Sequence, residues 1–165
     1  MPTANREGDD MNAEERALRS DLTTLSDSER GRQLLQLSLR GIQRGDKAVT
    51  AGCWADQGIA GCLFQHAYWQ GVEEGVFADE GRPGDWIGSF VGAGDYGTVV
   101  RAIGSFDRLA KAEYADISRR RLLPDRIDVR QDAWRDVVEG MLVETLAGTG
   151  GGDASSSREE VVAAH

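Results

Sequence analysis

Two cysteines, Cys53 and Cys62, are all the chain has for covalent cross-linking. That is too few for the disulfide framework of a small secreted domain. Within one helix, nine positions apart, their axial separation exceeds the reach of a disulfide. A bridge therefore requires the helix carrying Cys62 to begin after Cys53, and a reduced, cytoplasmic protein is the expectation. No run of about 18 apolar residues is present, nor an apolar signal region, so no membrane span is predicted. Positive charge is scarce as well. Nineteen basic residues face 28 acidic ones, a net charge of −9, which disfavours non-specific binding to nucleic acid or an anionic membrane. The sequence has no GxSxG, HExxH, P-loop, CxxC or CxxCH. Gly92-Ala93-Gly94-Asp95-Tyr96-Gly97 imitates a dinucleotide turn in spacing, but no βαβ unit surrounds it. It reads as a helix–helix turn. No internal repeat and no second domain is evident.

What the chain does have is concentrated between Gly52 and Phe77. Both cysteines, the one internal histidine, His66, and the tryptophans Trp54 and Trp69 lie there. Read as a helix over 57–76, this stretch places Ala60, Leu63, Phe64, Ala67, Tyr68, Gly71, Val72 and Gly75 on one apolar side. The opposite side carries Ile59, Cys62, His66, Trp69, Gln70 and Glu73. Cys62 and His66 are four apart and stack one turn above the other, with Trp69 and Glu73 continuing the column. Residues 51–95 also hold seven acids and a single base, Arg82. That acidity reads as a solvated surface or a docking face for a basic partner.

The flanking chain is helical in pattern. Residues 1–10 have no apolar periodicity and are expected to be a disordered tail. Asn12 with Glu15, then Ser26 with Glu29, are candidate caps of two helices. Leu18, Leu22 and Leu25 form the inner stripe of the first. Leu34, Leu35, Leu39 and Ile42 form that of the second, which Gly45 would stop. Asp85 opens a short helix with Trp86, Ile87, Phe90 and Val91 inside. Asp95 caps a longer one with Tyr96, Val99, Ile103, Phe106, Ala110 and Tyr114. Arg119, Arg120 and Arg121 precede Pro124, which ends that helix. Asp128 would cap a last helix striped with Trp134, Val137, Val138, Met141, Leu142 and Leu146, and Gly148 would stop it. The fold class is all-α: an irregular bundle of four to five helices, one domain over residues 11–147, between disordered tails at 1–10 and 148–165.

Three functions compete for the Cys62/His66 column. Thiolate and imidazole suit zinc or iron, with Cys53 a third ligand and Glu73 or Asp56 a fourth, and His66 or Cys62 could ligate haem. A thiolate beside an imidazolium could act as nucleophile and base. Or Cys62 is a small buried hydrophobe and His66 a hydrogen-bonded interior group. With catalytic motifs missing, the expectation is a non-enzymatic interaction domain, a regulator or adaptor, without cofactor. Its partner would be another protein or a second copy, not nucleic acid or membrane. The binding residues would be Cys62, His66, Trp69, Gln70 and Glu73. A metal or small-ligand sensor on that face, and a cysteine/histidine enzyme, are the alternatives.

Overall fold

Leucines at Leu18, Leu22 and Leu25 follow the three- and four-residue rhythm of a helix, and all three are buried. They belong to α1 (Thr3–Ser26) of a computed structural model that describes residues 3–51, 60–118 and 134–148. After α1 come α2 (Glu29–Gln43), α3 (Leu63–Glu73), α4 (Pro83–Val91), α5 (Ala93–Ser118) and α6 (residues 134–148). Two residue pairs, Ala48–Val49 (β1) and Ala60–Gly61 (β2), join in a parallel bridge. The described chain is mostly helical and all-α in class. None of its helices is long and apolar enough to cross a membrane.

The turn between α1 and α2 is fixed by Ser28, whose backbone is extended and whose Oγ accepts from the Gly31 N–H at 2.9 Å. The same hydroxyl donates to the Asp95 carboxylate at 2.6 Å, tying the hairpin to the start of α5. The cap expected at Ser26 is thus displaced by two residues. Ser26 ends α1 and donates to the Thr23 carbonyl at 2.6 Å. Asn12 is likewise internal to α1, whose backbone runs helically back to Thr3 through residues that the sequence pattern assigned to a tail. Gly45 stops α2 as expected, with φ 69°.

α1 and α5 run antiparallel. Glu14 meets Arg108 at 2.7 Å and Asp21 meets Arg101 at 3.6 Å. The seven-residue step on both helices is about two turns, so the pairs line up along one side of the seam. Beside them Leu18, Leu22 and Leu25 pack with Val99, Ala102, Phe106 and Ala110 in the core. Each fully buried leucine or phenylalanine contributes on the order of 2 kcal/mol. Helix α6 closes the bundle with Trp134, Val138, Met141 and Leu142. Val137, expected inside, is 49% exposed. It lies about 100° around the helix from Val138, and the buried stripe is centred on Val138.

α2 and α3 pack closely because Gly41 has no side chain. A Cβ there would lie 2.4 Å from the carbonyl oxygen of His66. α3 starts at Leu63 rather than at residue 57, and Cys62 is its N-cap, so Cys62 and His66 are not both mid-helix. The reason is β2, which holds Ala60 and Gly61 in extended pairing with Ala48 and Val49. No strand was expected from these short, alanine- and glycine-rich pieces. Cys53, Asp56, Ile59, the Arg119–Arg121 run, Pro124, Asp128 and the C-terminal tail beyond Gly148 lie outside the described residues.

Candidate functional site

The column expected to be a site is divided by the fold. Its upper half is interior. His66 is 1% exposed and Cys62 is fully buried. The cover is the chain itself. His66 Nε2 lies 3.0 Å from the Ala48 carbonyl oxygen. A carbonyl only accepts, so Nε2 carries the proton and donates. The segment holding Ala48 is pinned in turn by Arg135 of α6, whose guanidinium donates to the Lys47 carbonyl at 2.8 Å. Burial pushes the His66 pKa down from 6.5 to about 4. The Ala48 and Gly41 carbonyls and Asp46 oppose that shift, and the Arg135 charge adds to it. At neutral pH the ring is neutral.

Trp69 sits at the margin, half-buried. Its ring meets His66 edge-on at 5.2 Å between centroids, and the Lys47 ammonium lies 4.9 Å from its centre. The lower half is surface. Gln70 accepts from Arg44 at 3.4 Å and donates to Glu74 at 2.8 Å, and Glu73 pairs with Arg44 at 3.6 Å. Arg40 grips Glu74 with two bonds of 3.0 and 2.9 Å, holding that carboxyl below the usual range. Part of the acidic stretch is therefore neutralised within the fold rather than presented to a partner.

Cys62 is disulfide-bonded, against the expectation of a reduced pair. Cys53 is the one other cysteine in the chain. A disulfide sulfur is not the thiolate that a metal or a nucleophilic mechanism needs. Among the described residues no group of three or more His, Cys, Asp or Glu side chains is placed to hold a metal ion.

Two concavities open elsewhere. One, of about 560 Å³, lies between α1 and α5 around Asp21, Arg101, Ser105 and Arg108. Its arginines already face Asp21 and Glu14. The other, of about 280 Å³, is a groove lined by Arg30, Gln33, Gln36, Leu37, Arg40, Val76 and Phe90. The turn after α3 brings Val76 to it. Gly75, at φ 76°, reverses the chain, and the N–H groups of Val76 and Phe77 both return to the Gly71 carbonyl at 2.7 and 3.1 Å. Phe77 fills the space a side chain on Gly71 would take, and its ring meets Phe90 edge-on at 5.4 Å. Phe90 in turn lies under the Arg30 guanidinium, 4.8 Å from ring centre to cation. Val76 is left 44% exposed at the groove's edge.

Arg30 has no carboxylate partner among the described residues; its one side-chain bond is a 3.4 Å contact to Gln33. Arg40 keeps further N–H groups beyond the two that Glu74 engages. The groove can therefore take a carboxylate beside an apolar group. Sequence reading missed it. Its signal was the polar stripe Arg30, Gln33, Gln36 and Arg40 on the outer face of α2, together with a valine following Glu73-Glu74-Gly75. No protein-family model, curated protein or solved structure shows significant similarity to this chain.

Proposed function

We propose that this is a non-enzymatic interaction domain that binds a peptide segment of a partner protein in the groove between α2, Val76 and α4. The observation behind this reading is the juxtaposition at Arg30. A guanidinium without a carboxylate partner among the described residues stacks on Phe90, beside an exposed valine. A complementary segment carries an acid next to an aliphatic residue. The acid pairs with Arg30 in two parallel bonds, and the aliphatic group covers Val76 and Phe90. Gln33 and Gln36 supply amide donors and acceptors for the segment's backbone. The net charge of −9 does not defeat this. At physiological salt, charges farther than about 8 Å are largely screened, so the local arginines dominate.

Selection from a random peptide library on the full chain is expected to enrich an acid flanked by aliphatic residues. A labelled peptide from that selection should bind Arg30→Glu at least about tenfold more weakly, the loss of one charge-assisted pair. Enrichment of basic peptides, or equal affinity for wild type and Arg30→Glu, would refute the reading.

A further inference from the structure

We infer that the partner segment lies extended along α2 and is read at two points, with one acid on Arg30 and a second, four positions on, at Arg40; this rests on the groove reading above. Both arginines line the groove, together with Gln33, Gln36 and Leu37 from the turns between them. They belong to one helix and stand ten residues apart. At about 1.5 Å per residue, their backbone positions are about 15 Å apart. Each guanidinium is held by its surroundings. Arg30 rests on the Phe90 ring, and Arg40 is gripped by Glu74 through Nε and Nη2. That grip leaves the Nη1 hydrogens of Arg40 for a second carboxylate. The two arginines thus act as a ruler for acids.

The width of the groove selects the conformation of what it holds. A volume of about 280 Å³ spread over about 15 Å of helix is a channel on the order of 5 Å across. An α-helix with its side chains is about 10–12 Å wide, whereas one extended chain takes up about 5 Å. An extended chain also leaves its backbone N–H and C=O groups to the carboxamides of Gln33 and Gln36, which a helix would use internally.

In an extended chain, alternate side chains point to opposite sides, and four residues span about 13 Å. Positions 1 and 5 of the segment therefore face α2 together, close enough to Arg30 and Arg40 for the arginine side chains to take up the difference. Positions 2 and 4 face the other way, towards Val76 and Phe90. Acids two positions apart reach only about 7 Å, too short to engage both arginines. The segment recognised reads acid, aliphatic, any residue, aliphatic, acid.

The test measures, by fluorescence anisotropy, the binding of labelled, end-capped peptides to the full chain. Glu-Val-Ser-Val-Glu should bind about tenfold tighter than Glu-Val-Ser-Val-Gln, the effect of a second charge-assisted pair. It should exceed Glu-Val-Glu-Val-Gln by a similar factor, because the acids of that peptide stand too close. Arg40→Gln should erase the advantage and leave the affinity for Glu-Val-Ser-Val-Gln unchanged. In Arg40→Glu the preference should pass to Glu-Val-Ser-Val-Lys, as the pair forms with its charges exchanged. An alanine-rich helical peptide with acids ten positions apart should bind no better than its single-acid form. Equal affinity of the wild type for the first three peptides, with all three weakened in Arg30→Glu, would overturn the two-point reading and leave the groove reading standing. A tenfold gain from the second acid in the helical peptide alone would overturn the extended conformation. Undiminished binding of Glu-Val-Ser-Val-Glu to Arg30→Glu would overturn both readings.

Discussion

Gly41→Ala is expected to destabilise the fold by about 3 kcal/mol, although glycine to alanine inside a helix ordinarily stabilises by up to about 1 kcal/mol. The new methyl group would sit 2.4 Å from the His66 carbonyl oxygen and 3.0 Å from its carbon. Both are backbone atoms, so relief requires α2 and α3 to separate rather than a side chain to turn. Separation would also strain the Arg40–Glu74 and Arg44–Glu73 pairs that bracket the contact. Gly104→Ala in α5 is the control. A Cβ there meets only the guanidinium end of Arg108, at 3.5 Å or more, and the change should gain up to about 1 kcal/mol. Urea denaturation of the two variants checks the sign of each effect. A Gly41→Ala protein as stable as wild type would mean that the helices do not touch there.

Acid is expected to weaken the fold through His66, again by about 3 kcal/mol. The unfolded chain takes up the proton near the ordinary value of 6.5, whereas burial holds the folded group at about 4. Between those values the unfolded state binds more protons, so protonation favours unfolding. The contribution is fully present above pH 6.5 and is lost as pH falls towards 4. Carboxylates also titrate in that range, so the comparison is with His66→Leu, which shares them. Leucine leaves the Ala48 carbonyl without its donor, a cost that does not vary with pH. Wild type should lose about 3 kcal/mol more than His66→Leu between pH 7 and pH 4. Parallel stability curves would place the imidazole in water.

Much of the fold follows from local rhythm. Leu18, Leu22 and Leu25 of α1, Leu34, Leu35 and Ile42 of α2, Ile87 and Val91 of α4, and Val99, Phe106 and Ala110 of α5 are buried as their spacing predicts, whereas Leu39 is only half-buried and Leu37 takes a buried place instead. Gly45 ends α2 for the reason glycine ordinarily ends a helix. The site was less legible because the exposure of a helix face is decided by what else the chain brings to it. The spacing of Cys62 and His66 is the same whether their face is open or covered. The cover comes from Ala48, about 20 residues earlier, and from Arg135, far along the chain. Gly75 shows the same limit. Helical spacing puts it with Gly71 on the apolar side, but only Gly71 faces a ring; Gly75 serves its positive φ, and a Cβ there would meet nothing within 4 Å. The groove gathers Arg30, Val76 and Phe90 from three separate stretches. No periodicity connects them, and arginines on the outer face of α2 look like ordinary solvated charge until Phe90 is placed beneath one of them.

The central claim is that this domain binds through the α2–α4 groove and not through the Cys62–Glu73 face. Amide chemical-shift mapping of the full chain, titrated with the library-selected peptide, tests it most directly. The groove account predicts shifts clustered at Arg30, Gln33, Gln36, Val76 and Phe90, with His66 and Cys62 unmoved. Shifts centred on Cys62, His66 and Trp69 would contradict it and return the binding site to the helix face first read from the sequence.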